Sequence, residues 1–329
     1  MSNKDTIATI LPVDALALGV WGDNTNTNYI AGKIVKPNPY LELPTGKIEI
    51  MNSKNDTIDD KPTDPLEKAP LVNETSSTVE YRTVAYRRGF VVNPKDFDTH
   101  VTKDVARLRQ QMKGSKIVTR KLKNVFESIV AGKVFDTSYF TNTTPSTAWS
   151  NLSSSTPVSD IRSECSTIKK NTSMKPNTLI LGQNAYAYLC GNSSLTQSIR
   201  NIDDQIVKVE RLLDLIRSGD SQELRYIYIA DTSVNTANVG QAESRDFIWN
   251  PNKVWVGTIQ DTFDGNEMYG ALALKMESYT DTMNQETPVR IRIMPVEEAD
   301  ENVEKIEGKI EFDLVRLSNT AGRLLTIGS

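Results

Sequence analysis

The sequence predicts an α+β fold, with helices and strands mixed along the chain and no regular strand-helix alternation of the doubly wound kind. Three observations carry this. Residues 99–132 hold the longest helical pattern, residues 159–195 read as helix, strand, helix, and short strand-like runs fill much of the rest. At 329 residues there is room for one large domain or two ordinary ones.

Residues 1–40 show little periodicity and many Asn and Thr, which suggests an extended arm. The apolar stretch from Ile7 to Val20 is interrupted by Pro12 and Asp14, so it reads neither as a membrane span nor as a signal peptide. Ile48 and Ile50 alternate with polar residues between Lys47 and Asn52, and a longer alternation runs from Ser77 to Val92; both predict strands. Between them, Ser53 to Glu74 contains Pro62, Pro65 and Pro70 and the acids Asp56, Asp59, Asp60, Asp64 and Glu67. A loop of this length inside a compact domain is uncommon and usually functional.

In the long helical pattern, Val118, Leu122, Val125 and Ile129 form an apolar stripe. Arg109, Lys113, Lys116, Arg120 and Lys123 recur on the opposite face as a basic stripe. Gly114 interrupts the pattern at a cost of about 1 kcal/mol relative to alanine, so a bend is expected there. The Ser/Thr-rich residues 137–158 read as a linker.

Next, Ile161, Cys165 and Ile168 share a helix face. Pro176 biases Lys175 away from helix, and Thr178-Leu179-Ile180-Leu181, closed by Gly182, is a short apolar run with the signature of a buried strand. Ala185, Tyr188 and Leu189 resume helical spacing, so Ile180 is expected between the two flanking helices. A third helix is predicted from Val209, Leu212, Leu213 and Ile216. Strands are predicted at Tyr226 to Ala230, Val254 to Val256 and Ala271 to Leu274, then around Val289, Ile291 and Ile293, and around Ile310, Phe312 and Leu314. There is no internal repeat.

Composition narrows the function classes. The formal charge is −4, from 38 Lys and Arg against 42 Asp and Glu, which argues against attraction of the whole surface to nucleic acid. His100 is the single histidine, so Ser-His-Asp, Cys-His and multi-histidine zinc chemistry lack their parts, and an ordinary surface or capping role is expected for it. The glycine-lysine pairs at Gly32, Gly46 and Gly132 lack phosphate-loop spacing. Cys165 and Cys190 read as inert core thiols in a reducing compartment. No catalytic, cofactor or metal residue is assigned. For the basic stripe, solvated surface, nucleic-acid contact and docking onto an acidic partner all stand; the acids from Asp56 to Glu67 raise the last, and the scarcity of aromatics weakens the second.

Several segments in their order resemble the major capsid proteins of tailed bacteriophages, the Hong Kong 97-type fold. These are the helix start Asp160-Ile161, the turn and strand Pro176-Asn177-Thr178-Leu179-Ile180-Leu181-Gly182, the following helix with Leu189, and the ending Leu314-Val315-Arg316-Leu317 through Ala321-Gly322-Arg323-Leu324-Leu325. The resemblance implies an N-terminal arm at 1–40, an extended hairpin, the E-loop, at 41–88, a peripheral domain with a long spine helix at 89–136 and 280–308, and an axial domain at 150–279 and 309–329. It covers residues 233–246 with no pattern.

It further implies a subunit that self-assembles, as hexamers and pentamers, into an icosahedral shell around double-stranded DNA bound without sequence specificity. Such a subunit is no enzyme, needs no cofactor and no membrane, is assembled in the bacterial host cytoplasm and ends in the virion capsid of a phage or prophage. Portal, scaffolding and decoration proteins are its candidate partners. In that family the E-loop lies along the spine helix of the adjacent subunit. The loop acids Asp56, Asp59, Asp60, Asp64 and Glu67 are therefore expected to meet Arg109, Lys113, Lys116, Arg120 and Lys123 between chains. The alternatives are an encapsulin-like shell, a tail tube or other virion structural protein, and a glycosidase using two carboxylates.

Overall fold

A computed structural model describes residues 21, 28–50, 77–93, 102–200, 214, 224–237, 240–260, 269–280, 286–295 and 303–328. The proline-rich segment with its acids, His100 and the third predicted helix lie outside the described residues, apart from Asp214 in that helix.

The longest element is a helix of 32 residues, Lys103–Val134, about 48 Å at 1.5 Å per residue. Asp104 in its first turn and Lys133 in its last complement the helix dipole. Its buried apolar ridge is Val118, Leu122, Phe126, Val130 and Val134, whereas Val125 and Ile129 are only half-buried. The expected stripe was thus right at its start and drifts off at its end. A ridge of strict i, i+4 spacing winds slowly around the helix, and packing onto a twisted sheet follows that row. The helix continues through Gly114 with no break in its residue range. A Cβ there would lie 2.6 Å from both Ile306 and Phe90, so this glycine lets the helix lie close on the sheet.

That sheet is built around one long strand, Glu304–Arg316, taken with Ala31–Ile34 as α1 and Lys103–Val134 as α2. The strands preceding it are β1 (Thr45–Ile50), β2 (Ser77–Arg82), β3 (Val84–Val92), β4 (Thr141–Thr143), β5 (Thr178–Gly182), β6 (Tyr226–Ala230), β7 (Ser233–Asn235), β8 (Arg245–Phe247), β9 (Lys253–Gly257), β10 (Leu272–Met276), β11 (Tyr279–Thr280), β12 (Glu286–Thr287) and β13 (Arg290–Pro295), making the long strand β14. The last strand is β15 (Gly322–Thr326). β14 pairs antiparallel with β3, with β13 along its first half, and with β10 along its second. Ile306, Ile310, Phe312 and Leu314 are buried on one side, with Lys305, Glu307, Lys309 and Glu311 alternating on the other. The boundaries expected at 88/89 and 308/309 fall inside the continuous strands β3 and β14.

The second sheet has the order β4-β15-β9-β5-β6. β5 is central, parallel to β6 and antiparallel to β9, and all five of its residues are buried. The helices α3 (Pro157–Thr172) and α4 (Gln183–Gly191) flank it as expected, followed by α5 (Ser193–Arg200). Residues alternate across a strand, and the structure sorts them by side. Leu179 and Leu181 join Ile161, Cys165, Ile168, Ala185 and Leu189 in one core, while Ile180 joins Phe140, Trp249, Trp255 and the long helix in another. Ile180 is fully buried, but not between the two flanking helices.

Residues 137–158 are no solvated linker. Phe140 and Trp149 are core residues, Thr141–Thr143 adds an edge strand beside β15, and the Trp149 indole donates to Asp160 Oδ2 at 2.8 Å. β1 and β2 form a hairpin whose Ile48, Ile50 and Tyr81 pack on Ala273, Val315 and Leu317 of the first sheet. The Arg82 N–H donates to Asp313 Oδ2 at 3.0 Å, which fixes the hairpin root beside the C-terminal end of the long helix, where Lys133 also reaches Asp313 at 3.2 Å.

Candidate subunit-contact site

The long helix carries seven basic residues and no acidic one between Asp104 and Glu127. The sheet takes one side of it, so the remaining sides decide where those charges go. Arg109, Lys113, Lys116 and Arg120 are exposed on a common face, joined by Lys121, which the sequence pattern had not included.

Lys123 departs from the stripe. It is buried at 7% exposure, donates to the Trp21 carbonyl at 2.6 Å and lies over the Tyr29 ring at 4.6 Å. It belongs to a second, polar ridge, Ser115, Thr119, Lys123 and Glu127, one residue along from the apolar ridge and covered in part by the segment around α1. Glu127 closes that ridge. Its Oε1 accepts the Ile30 N–H at 2.9 Å and the Trp249 indole N–H at 2.7 Å, and its Oε2 accepts the Ala31 N–H at 3.0 Å. Burial pushes this carboxyl above the ordinary range, against the opposing pull of those three donors and of Lys123. The sequence spacing put Lys123 in the exposed basic stripe and drew no attention to Glu127; the segment around α1 covers both.

The exposed basic face forms one wall of an open groove of about 880 Å³. The opposite wall is the short hairpin of β7 and β8, which contributes Val234, Asn235 and Ala237. The hairpin is closed by a Thr236 N–H bond to Ser244 O at 2.7 Å and by Asn235 Oδ1, which accepts from the N–H groups of Ala237 and Ser244. At its base, Ile248 N–H donates to Thr232 O at 2.9 Å, and the Thr232 hydroxyl donates to Asn28 O at 2.6 Å. Residues 233–246, which carried no sequence pattern, thus supply half of the site. Among the described residues lining the groove none is acidic, and Met112, Ile117 and Val234 add apolar surface between the cations.

The loop acids Asp56, Asp59, Asp60, Asp64 and Glu67 lie outside the described residues, so their meeting with the helix is not on view. Cys165 is buried, and burial pushes its thiol up to about 12, whereas Cys190 is half-buried. Among the described residues no group of three His, Cys, Asp or Glu is placed to hold a metal ion, and no helix is long and apolar enough to cross a membrane.

No protein-family model and no curated protein sequence matches the chain. Solved structures do. A phage-related protein from Bordetella bronchiseptica RB50 is similar over 94% of this chain and 95% of its own, with a TM-score of 0.63 at 15% identity. The capsid of Myoviridae phage XM1 is similar over 92% of each chain, TM-score 0.53, 11% identity. The fold is that of the Hong Kong 97-type phage capsid proteins. A third similar structure, the encapsulin of Synechococcus elongatus, has a TM-score of 0.51 at 11% identity and covers 100% of this chain and 97% of that one. The long helix against the sheet of β14, and the second sheet with its flanking helices, are the parts of this chain that take that fold.

Proposed function

We propose that this chain is a major capsid protein of a tailed phage or prophage, which self-assembles into a closed icosahedral shell enclosing double-stranded DNA. The observation that carries the reading is the end-to-end match to the phage XM1 capsid chain, 92% of each. A shell subunit acts mechanically: many copies of a weak contact close a surface, and no bond is made or broken. Its partners in this reading are other copies of itself, in hexamers and pentamers, and packaged DNA held without sequence readout. The arm, E-loop, peripheral and axial divisions are retained as part of the proposal, with β10 and all of β14 grouped with the helix-backed sheet.

A second reading, an encapsulin-like shell, is favoured by the full-length match to the Synechococcus elongatus protein. Negative-stain imaging of the purified chain tests both, since closed shells are expected and tubes or dispersed monomers would remove the shell reading. The content of the particles separates the two: nuclease-protected double-stranded DNA supports the capsid, and a single co-purifying enzyme supports the encapsulin.

A further inference from the structure

Among the described residues, every side chain that lines the groove between the long helix and the β7–β8 hairpin is a cation, a side-chain amide or apolar. Arg109, Lys113, Lys116, Arg120 and Lys121 spread positive charge along about 18 Å of helix, at 1.5 Å per residue. The two asparagines of the lining have their acceptor oxygens engaged inside the protein. Asn235 Oδ1 takes the N–H groups of Ala237 at 3.0 Å and Ser244 at 3.2 Å, and Asn124 Oδ1 takes the Tyr29 hydroxyl. Their amide N–H groups are thereby left to the groove as donors.

Such a lining selects an anion that brings acceptors alone. An acidic peptide also brings backbone N–H groups, and side chains with no acceptor to offer leave those unpaired. A phosphodiester backbone brings none. At 3.4 Å per phosphate along one strand, about 18 Å spans about five phosphates, one for each cation. Single strands are held by stacking their bases on aromatic rings, and no aromatic side chain lines the groove among the described residues, so the lining suits a duplex, whose bases are already stacked. We infer that the groove between the long helix and the β7–β8 hairpin holds one strand of the phosphate backbone of double-stranded DNA. This rests on the shell reading, in which DNA is the content, and names the surface of the subunit that meets it. The chain as a whole carries −4, so the contact belongs to this groove and not to the surface at large.

Salt titration of a fluorescently labelled, mixed-sequence DNA duplex tests it on the full-length chain. The variant K113Q/K116Q/R120Q removes three of the five cations at exposed positions and should keep the circular dichroism and urea midpoint of the wild type. Each lost phosphate contact flattens the plot of log affinity against log salt by about 0.9, so a flattening of about 2.7 is expected, with affinity lowered alike for every sequence. The control K36Q/K169Q/K170Q removes the same charge from exposed positions elsewhere and should leave the slope near that of the wild type. N235D keeps the acceptor that closes the hairpin but replaces the amide donors with an anion, and should weaken binding while the fold is retained. An unchanged slope in the groove variant overturns the proposal, as does equal flattening in the control or unchanged affinity in N235D. Polyglutamate that binds as tightly as the duplex, or a single strand that binds more tightly, overturns the choice of ligand. If particles form and the duplex does not bind, the groove assignment falls alone. If the chain binds the duplex as described but forms no particles, the shell reading falls and the duplex site stands.

Discussion

Glu127 of the long helix accepts the indole N–H of Trp249 at 2.7 Å across 122 residues of sequence, and with its second oxygen holds the backbone at Ala31. One carboxylate thereby ties the helix, the segment around α1 and the loop before β9. Trp249 is fully buried, edge-on to Phe135 at 5.3 Å, so its N–H has no access to water should the acceptor be removed.

Glu127→Ala should therefore be among the most destabilising single changes to the chain. It strands the Ile30 and Ala31 N–H groups and the Trp249 indole, and each buried donor left unpaired costs about 1–3 kcal/mol. Its raised pKa means that the native state holds the Glu127 proton more tightly than the unfolded chain does. The ionised group thus contributes less to stability as pH rises through its folded value, so the penalty of Glu127→Ala should be greatest on the acid side. Urea midpoints of both proteins across the weakly acid range measure this; equal midpoints would show that the three-way junction contributes nothing.

Gly308 of β14 lies directly against the long helix, one turn along from the contact at Gly114. A Cβ there would overlap Val118 and lie 2.9 Å from Leu122. Gly308→Ala should cost about 1–3 kcal/mol by overpacking. Adding Val118→Ala should return part of that loss, which a double-mutant cycle on urea midpoints would read as coupling between the two sites. Additive effects would mean that the helix shifts away without strain.

Much of this fold is written in local pattern. The strands at Tyr226 to Ala230 and Val254 to Val256 and the helix-strand-helix unit follow from runs whose burial and period agree. Where the reading slipped, a distant partner decided. Phe126, not Val125, faces Phe312 at 5.0 Å because the sheet follows the i, i+4 row. Trp149 is buried in a Ser/Thr-rich stretch because Asp160 and the Ile327 backbone meet it there. Half of the candidate site was legible as a charge stripe on one helix; the other half, the β7–β8 hairpin, has no charge or period signal and enters only through the fold.

Ile180→Ala should cost about 2–5 kcal/mol through lost burial and the cavity left behind. Because Ile180 shares its core with Trp255 and Phe140, the change should also alter the near-ultraviolet circular dichroism, whereas Leu179→Ala on the opposite side should alter it less. Matching aromatic spectra for the two variants would contradict this division of the sheet.

Cysteine accessibility gives a further check. With Cys165 buried and its thiol pushed up to about 12, the native chain should expose only Cys190 to a thiol reagent at neutral pH, and unfolding should release the second. Cys165→Ala should be tolerated better than Cys165→Ser, which places a hydroxyl on an apolar face. Two thiols reacting at one rate in the native chain would show that this core opens readily.

The last prediction concerns acid. Glu304, at the start of β14, is pushed up by burial, yet hydrogen bonds from Arg107 and Gln111 and the Arg107 charge outweigh this and hold its carboxyl below the ordinary range. The Gln111 contact is 2.7 Å. For a depressed pKa the stabilisation is complete above the unfolded value, about 4.3 for a glutamate, and is lost as pH falls through the lower folded value. Stability supplied by this clamp is therefore complete near neutrality and declines once the pH falls below the unfolded value. Glu304→Gln removes the charge but retains the shape, so it should lower the urea midpoint at neutral pH and lose less further stability on acidification than the wild type does. Parallel acid dependence of the two proteins would mean that the Arg107–Glu304 pair, whose arginine side chain is 53% exposed, is screened by solvent and holds the helix to the strand by packing alone.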